Sequence, residues 1–168
     1  EPRKNLARLA EVLARLRRSD PNLCLVVVGA KGWLTGEFFQ RIEELDLGDA
    51  VLLPGYVPDT DLPAVFRAAT VYVMASVYEG VGLPVLEAMA CGVPVVSSRE
   101  SSMPELGADV PRYFNPYDVD NMVDVLATVL DDSRLRAEMA AAGPERAARF
   151  SWERAARETL DVYQRVMR

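Results

Sequence analysis

Apolar positions along the first twenty residues recur with a helical period. Leu6, Leu9, Ala10, Leu13 and Leu16 lie on one face, Asn5 stands at the N-cap position, and the pattern stops near Ser19-Asp20-Pro21. The run "LCLVVVG" that follows lacks alternation, which predicts a strand covered on both faces. After the loop "AKGWLTG", a second helix turns Phe38 or Phe39, Ile42 and Leu45 inward. "VLLPGYV" reads as a short strand and turn, Asp59 or Thr60 as the cap of a helix through Ala69, and "VYVMAS" as the next buried strand. "EGVGLPVLEAMACG" predicts a turn and an apolar helix, "PVVSS" a further strand, and a polar loop runs through Ser102. The remainder turns helical: one helix capped near Asp118, one from about Ser133 to Ala148, one entered through Ser151. Strands alternating with helices predict an α/β domain with an open, doubly wound parallel sheet. Such sheets ordinarily begin with a strand, whereas this sequence opens on "EPRKN" and a helix, so a strand upstream is expected.

Composition narrows the chemistry. The chain has 168 residues, half of them hydrophobic, which suits one well-packed domain. A net charge of -6 argues against nucleic acid or an anionic membrane as the main partner. Only Lys4 and Lys31 are lysines, and histidine is absent, which removes every histidine-based acid, base or metal ligand. Cys24 and Cys91 form neither a bridge framework nor a metal spacing and read as buried free thiols of a cytosolic protein. No apolar run approaches a membrane span.

Open parallel sheets bind ligands at the carboxyl ends of their strands, which picks out "EPRKN", "GAKGW", "GYVP" and "SVYEGVGLP". In the last of these, Gly80 and Gly82 allow close backbone approach and Pro84 suits a first helical turn. A helix start at Val81 to Val85 would favour phosphate. The turn could equally be plain strand-to-helix geometry. Glu79 precedes the glycines, and Glu87 stands alone among fifteen otherwise uncharged residues, Gly82 to Val96. Glu87 is either a first-turn acid satisfied by its own helix or a ligand for vicinal hydroxyls, and its apolar neighbours weigh against a solvated face. Arg3 and Lys4 form a basic pair suited to a departing diphosphate, or a surface feature. Trp33 is a stacking candidate, and Glu105 belongs to the first turn of a short helix. The sequence holds no P-loop, no third glycine of a dinucleotide fingerprint and no nucleophile elbow.

"EGVGLPVLEAMACGVPVVSS" resembles the paired-glutamate motif, with its "EAMACG.PVV" continuation, of the retaining glycosyltransferases of the GT-B fold in the large family four. "EPRKNLARL", "LVVVGAKGW", "GYVPDTDL", "SSMPEL", "NPYDVD" and "FSWERAARETLDVY" extend the similarity from end to end, with a flavour of bacterial mannosyltransferases of polysaccharide assembly. The resemblance implies the C-terminal, Rossmann-like, donor-binding half of such an enzyme, spanning residues 1–168, without its first strand and its N-terminal acceptor domain. By position, Lys4 and Arg3 would neutralise the donor diphosphate, and Glu79 would contact the transferred sugar. Gly80, Val81, Gly82 and Leu83 would hold sugar and phosphate, and Glu87 would take the ribose hydroxyls. Gly29, Tyr56 and Val57 would line the nucleotide and base pocket. Val81 stands where the family commonly has Phe. The implied substrates are a nucleotide diphosphate sugar, with GDP-mannose the candidate, and a hydroxyl acceptor such as a saccharide or lipid-linked saccharide. No metal or other cofactor is implied, and the location would be cytoplasmic, peripheral to the inner membrane face in the intact protein. The alternatives are a sugar-nucleotide epimerase or phosphorylase of the same fold, separated by whether turnover needs a second sugar acceptor, and a non-catalytic nucleotide-sugar module, in which Glu79→Ala would alter ligand affinity and leave biological activity unchanged.

Overall fold

The computed structural model describes residues 1–29 and 36–167. Trp33 lies outside the described residues. Five strands, β1 (Leu25–Val28), β2 (Val51–Gly55), β3 (Tyr72–Met74), β4 (Val95–Ser98) and β5 (Arg112–Phe114), alternate with helices. The helices are α1 (Leu6–Leu16), α2 (Gly36–Glu44), α3 (Leu62–Ala68), α4 (Leu83–Ala90), α5 (Met103–Gly107), α6 (Val119–Asp131), α7 (Ser133–Ala147) and α8 (Trp152–Val166).

All strand pairing is parallel, as expected of strands joined by helical crossovers. It falls into two groups among the described residues. β1 pairs with β2, β4 sits between β3 and β5, and no ladder joins the groups among the described residues. α1 bridges them instead. Its Leu9 and Val12 pack with Ala75, Val96 and Phe114, while Ala10 and Leu13 pack with Phe38, Ile42 and Val51. Successive residues of β4 point to opposite faces, so Val96 enters the α1–α6 core and Val95 enters the core beneath α4. Helices thus cover both faces of the three-stranded group, which is the doubly wound arrangement.

Several expectations need correction. β1 is not covered on both faces: Val26, with Leu52 and Leu53 of β2, is about half exposed, because among the described residues this small group lacks the second helical layer that β4 has. The short β5 is an added strand, since three residues beginning with an exposed Arg112 carry little apolar signal. Asp61, not Asp59 or Thr60, holds the N-cap position of α3, without a side-chain cap bond. Asn5 stands at the N-cap of α1 as expected, but with a left-handed backbone at φ 60° and no side-chain cap bond. Cys24 is exposed and Cys91 only half-buried. The caps at Asp118 and Ser151 form as expected, each accepting a backbone N–H three residues on, from Asn121 and Arg154. No helix among the described residues is long and apolar enough to cross a membrane.

Candidate functional site

The loops that leave the carboxyl ends of β3, β4 and β5 meet the start of the chain. A 3-10 turn over Pro2–Lys4 lies against the loop after β3, where the Val77 N–H donates to the Arg3 carbonyl at 2.9 Å. That backbone bond brings two cations onto one acid. The Glu79 carboxylate accepts from Arg3 Nη1 at 2.5 Å through one oxygen, and from Lys4 Nζ at 2.6 Å and Ser76 Oγ at 2.8 Å through the other. Arg3 also donates to the Tyr78 carbonyl at 3.3 Å.

Glu79 is 8 % exposed, a degree of burial that an ionised carboxylate tolerates only with such partners. Burial pushes its pKa upward, but the bonds from Lys4, Ser76 and Arg3 outweigh burial and hold it below the usual carboxylate range. The Arg3 guanidinium is raised in turn, chiefly by its hydrogen bond to Glu79. The Glu79 backbone is clamped separately: the Ser101 hydroxyl donates to its carbonyl, and Ser102 Oγ donates to the same oxygen at 3.2 Å. Ser101 itself has φ 60°, an uncommon conformation for serine.

The glycines that follow divide the work. A Cβ on Gly80 would meet nothing within 4 Å, so that backbone faces open space, whereas one on Gly82 would press on Met103 Sδ at 3.1 Å. Gly80 therefore permits approach by a ligand, and Gly82 permits α4 to pack on α5. Val81 and Leu83 are exposed beside them, at the positive end of α4. Pro84 sits in the first turn of α4, where its missing N–H costs nothing.

Glu87 corrects the expectation of an acid buried among apolar neighbours. Its side chain is exposed on α4 and has no hydrogen-bond or ion-pair partner among the described residues. The core side of α4 is formed instead by Val85, Ala88 and Met89. Glu87 borders a mostly apolar hollow of ≈ 340 Å³ between α4 and the end of α7, with Leu86, Pro144, Ala147 and Phe150. Both acids act on Tyr72, whose phenol is pushed up by burial first and then by the charges of Glu87 and Glu79.

The remaining expected residues form a second group. Gly29, at φ 137°, donates its N–H to the Gly55 carbonyl at 2.9 Å, which ties the ends of β1 and β2. Tyr56 is 72 % exposed just beyond, and Val57 is half-buried. No hydrogen bond joins this group to Arg3, Lys4 and Glu79 among the described residues. A cleft of ≈ 320 Å³ at the amino end of β5 is lined by Arg112, Arg146 and Arg149, but Asp109, Glu138 and Glu145 balance them. It shows no preference for an anion and lies away from Glu79.

Sequence reasoning named Arg3, Lys4 and Glu79 but missed Ser76, Ser101 and Ser102. The one available signal was a small polar residue closing an apolar strand at Ser76.

Comparisons with known proteins agree on the family. The family model for glycosyl transferases group 1 matches residues 1–146. The O-antigen chain mannosyltransferase B of Escherichia coli is 38% identical over 165 residues, 98% of this chain and 43% of that protein. The MMP alpha-(1->4)-mannosyltransferase of Mycolicibacterium hassiacum is 35% identical over 171 residues, 99% of this chain and 41% of that protein. Among solved structures, a sucrose-phosphate synthase from Thermosynechococcus elongatus superposes with a TM-score of 0.84 at 26% identity, covering 99% of this chain and 43% of that one. The chain thus spans less than half the length of the relatives it matches.

Proposed function

The chain belongs to the glycosyl transferases group 1 family, and from that premise we propose that it is the donor-binding domain of a retaining GT-B enzyme. The intact protein would transfer a sugar, mannose in our reading, from a nucleotide diphosphate to a hydroxyl of a saccharide or lipid-linked saccharide. The observation that carries this reading is the convergence of Arg3 and Lys4 on the buried Glu79, beside the exposed backbone of Gly80 and the start of α4.

Transfer breaks the bond between the anomeric carbon and the donor phosphate, and forms one from that carbon to the acceptor oxygen. Charge grows on the departing diphosphate, so groups that grip it more tightly as it leaves lower the barrier. In this reading Arg3, Lys4 and the positive end of α4 take that charge in place of a metal ion. The leaving phosphate oxygen takes the acceptor proton, on the face the sugar has just left, which yields retention. Glu79 contacts the transferred sugar, and the backbone from Gly80 to Leu83 holds sugar and phosphate. Glu87, exposed and without an internal partner, accepts from the ribose hydroxyls. Gly29, Tyr56 and Val57 border the base. This domain alone would bind donor and turn nothing over, and the intact enzyme would work at the cytoplasmic membrane face.

The test is an assay of the full-length protein with GDP-mannose and UDP-glucose and a saccharide acceptor, with the product anomer read by NMR. One donor should give a product of retained configuration, and Lys4→Met should lower kcat. An inverted product, or no transfer from any nucleotide sugar, would overturn the proposal.

A further inference from the structure

Asn5 occupies the N-cap position of α1, yet its side chain caps no backbone N–H of that helix. It is 7 % exposed, and both ends of its amide are engaged otherwise. Nδ2 donates to the Pro116 carbonyl at 2.8 Å, across 111 residues of sequence, and Oδ1 accepts from Arg8 Nη1 at 2.8 Å. Arg8 reaches the same carbonyl at 3.4 Å and lies 5.8 Å over the Tyr117 ring. The start of the chain is thereby fastened to the loop after β5.

The backbone of Asn5 has φ 60° and ψ 29°, a left-handed conformation that asparagine tolerates better than most residues. Its N–H closes the turn onto the Pro2 carbonyl at 3.0 Å, and its carbonyl accepts the Leu9 N–H at 3.1 Å to begin α1. One residue therefore sets the angle between α1 and the turn that carries Arg3 and Lys4. Glycine would satisfy the dihedral angle, and serine or aspartate would serve as well at a helix cap. Neither need explains a buried amide aimed at Pro116.

We infer that Asn5 is a positioning residue: it pins the turn bearing Arg3 and Lys4 between the loops after β3 and β5, so that both cations are aimed at the departing diphosphate. The inference rests on the donor-site reading above. Asn5→Gly keeps the backbone conformation and removes both amide bonds. Asn5→Asp keeps the acceptor for Arg8, is nearly isosteric, and faces the Pro116 carbonyl with a carboxylate.

The experiment measures kcat and donor KM of the full-length enzyme for Asn5→Gly and Asn5→Asp, each alone and combined with Lys4→Met, with folding followed by circular dichroism. In the native background either variant should lower kcat about tenfold to a hundredfold, since misplaced charge is lost mainly in the transition state. In the Lys4→Met background the same substitutions should cost less than about threefold, because one of the two cations to be aimed is gone. A folded Asn5 variant with native kcat, or an equal loss in both backgrounds, overturns the positioning role while Lys4→Met still impairs transfer. An unimpaired Lys4→Met enzyme overturns the donor-site reading, and this inference with it.

Discussion

Replacing Glu79 by glutamine should make the protein bind a free nucleoside diphosphate more tightly, although it removes a residue from the proposed site. Without ligand, the Glu79 carboxylate already occupies the cations that the proposal gives to the diphosphate, at 2.5 Å from Arg3 and 2.6 Å from Lys4. An incoming diphosphate must compete with it. The Lys4 side chain is 39% exposed and that of Glu79 10%, so their bond lies between the buried and exposed regimes. A hydrogen bond to a charged group contributes about 1.5–3 kcal/mol, and solvent screening brings this one to about 1–2 kcal/mol. Glutamine keeps an oxygen for Ser76 and removes the charge. At 1.4 kcal/mol per factor of ten, the gain in affinity is about 5- to 30-fold. Calorimetric titration with GDP and UDP, on native and Glu79→Gln protein at equal ionic strength, measures it directly. The difference should shrink in 1 M salt, where the screening length falls to about 3 Å. Transfer of the sugar should meanwhile drop, since the sugar loses its carboxylate. Unchanged or weaker nucleotide binding by a folded Glu79→Gln protein would refute the competition and, with it, the assignment of Arg3 and Lys4 to the diphosphate.

The same carboxylate makes stability depend on acid. Its folded pKa lies below the ordinary value of about 4.3, so its contribution is present above that value and is lost as pH falls through the folded one. Urea unfolding should show native protein more stable than Glu79→Gln at pH 6 and the gap closing below about pH 4; a gap that widens in acid would contradict the ion-pair geometry. Gly143→Ala tests the contact of α7 with α4, because a Cβ there would stand 2.8 Å from the Met89 carbonyl oxygen. Helix propensity alone favours alanine by about 1 kcal/mol, so a net loss of about 1–3 kcal/mol in thermal or urea unfolding identifies the steric clash, and a gain would deny it. Transfer by the intact enzyme should survive EDTA in full; a loss restored by Mg²⁺ would move the leaving-group role away from Arg3 and Lys4.

Much of the fold follows from local pattern because local pattern decides it. The strand expected at "PVVSS" forms as β4 and is buried at all four positions, its two serines included, and the caps at Asp118 and Ser151 form where their side chains can reach the next turn. The same logic fails for β1, where a wholly apolar run, Leu25–Val28, leaves Val26 about half exposed. Burial there depends on how many layers of helix arrive, which a run of residues does not record. It fails again for Glu87, whose apolar neighbours along the sequence line other faces of α4.

The candidate site divides in the same way. Arg3, Lys4 and Glu79 stand out through the resemblance to the family motif, since on spacing alone the basic pair reads equally as a surface feature. Their pairing was not legible, since Lys4 and Glu79 stand 75 residues apart and meet only through strand order and the backbone bond from Val77 to Arg3. Asn5 shows the limit most sharply. By position it is a helix cap, and nothing in its neighbourhood along the chain distinguishes it from one. What changes its role is Pro116, which the parallel order of β3, β4 and β5 brings to the same edge. Charged candidates can be picked out by chemical type, whereas residues that hold them in place are defined by contacts between loops. That is why the serines at 101 and 102 and the amide of Asn5 emerge only from the folded arrangement, and why their tests must measure aim rather than presence.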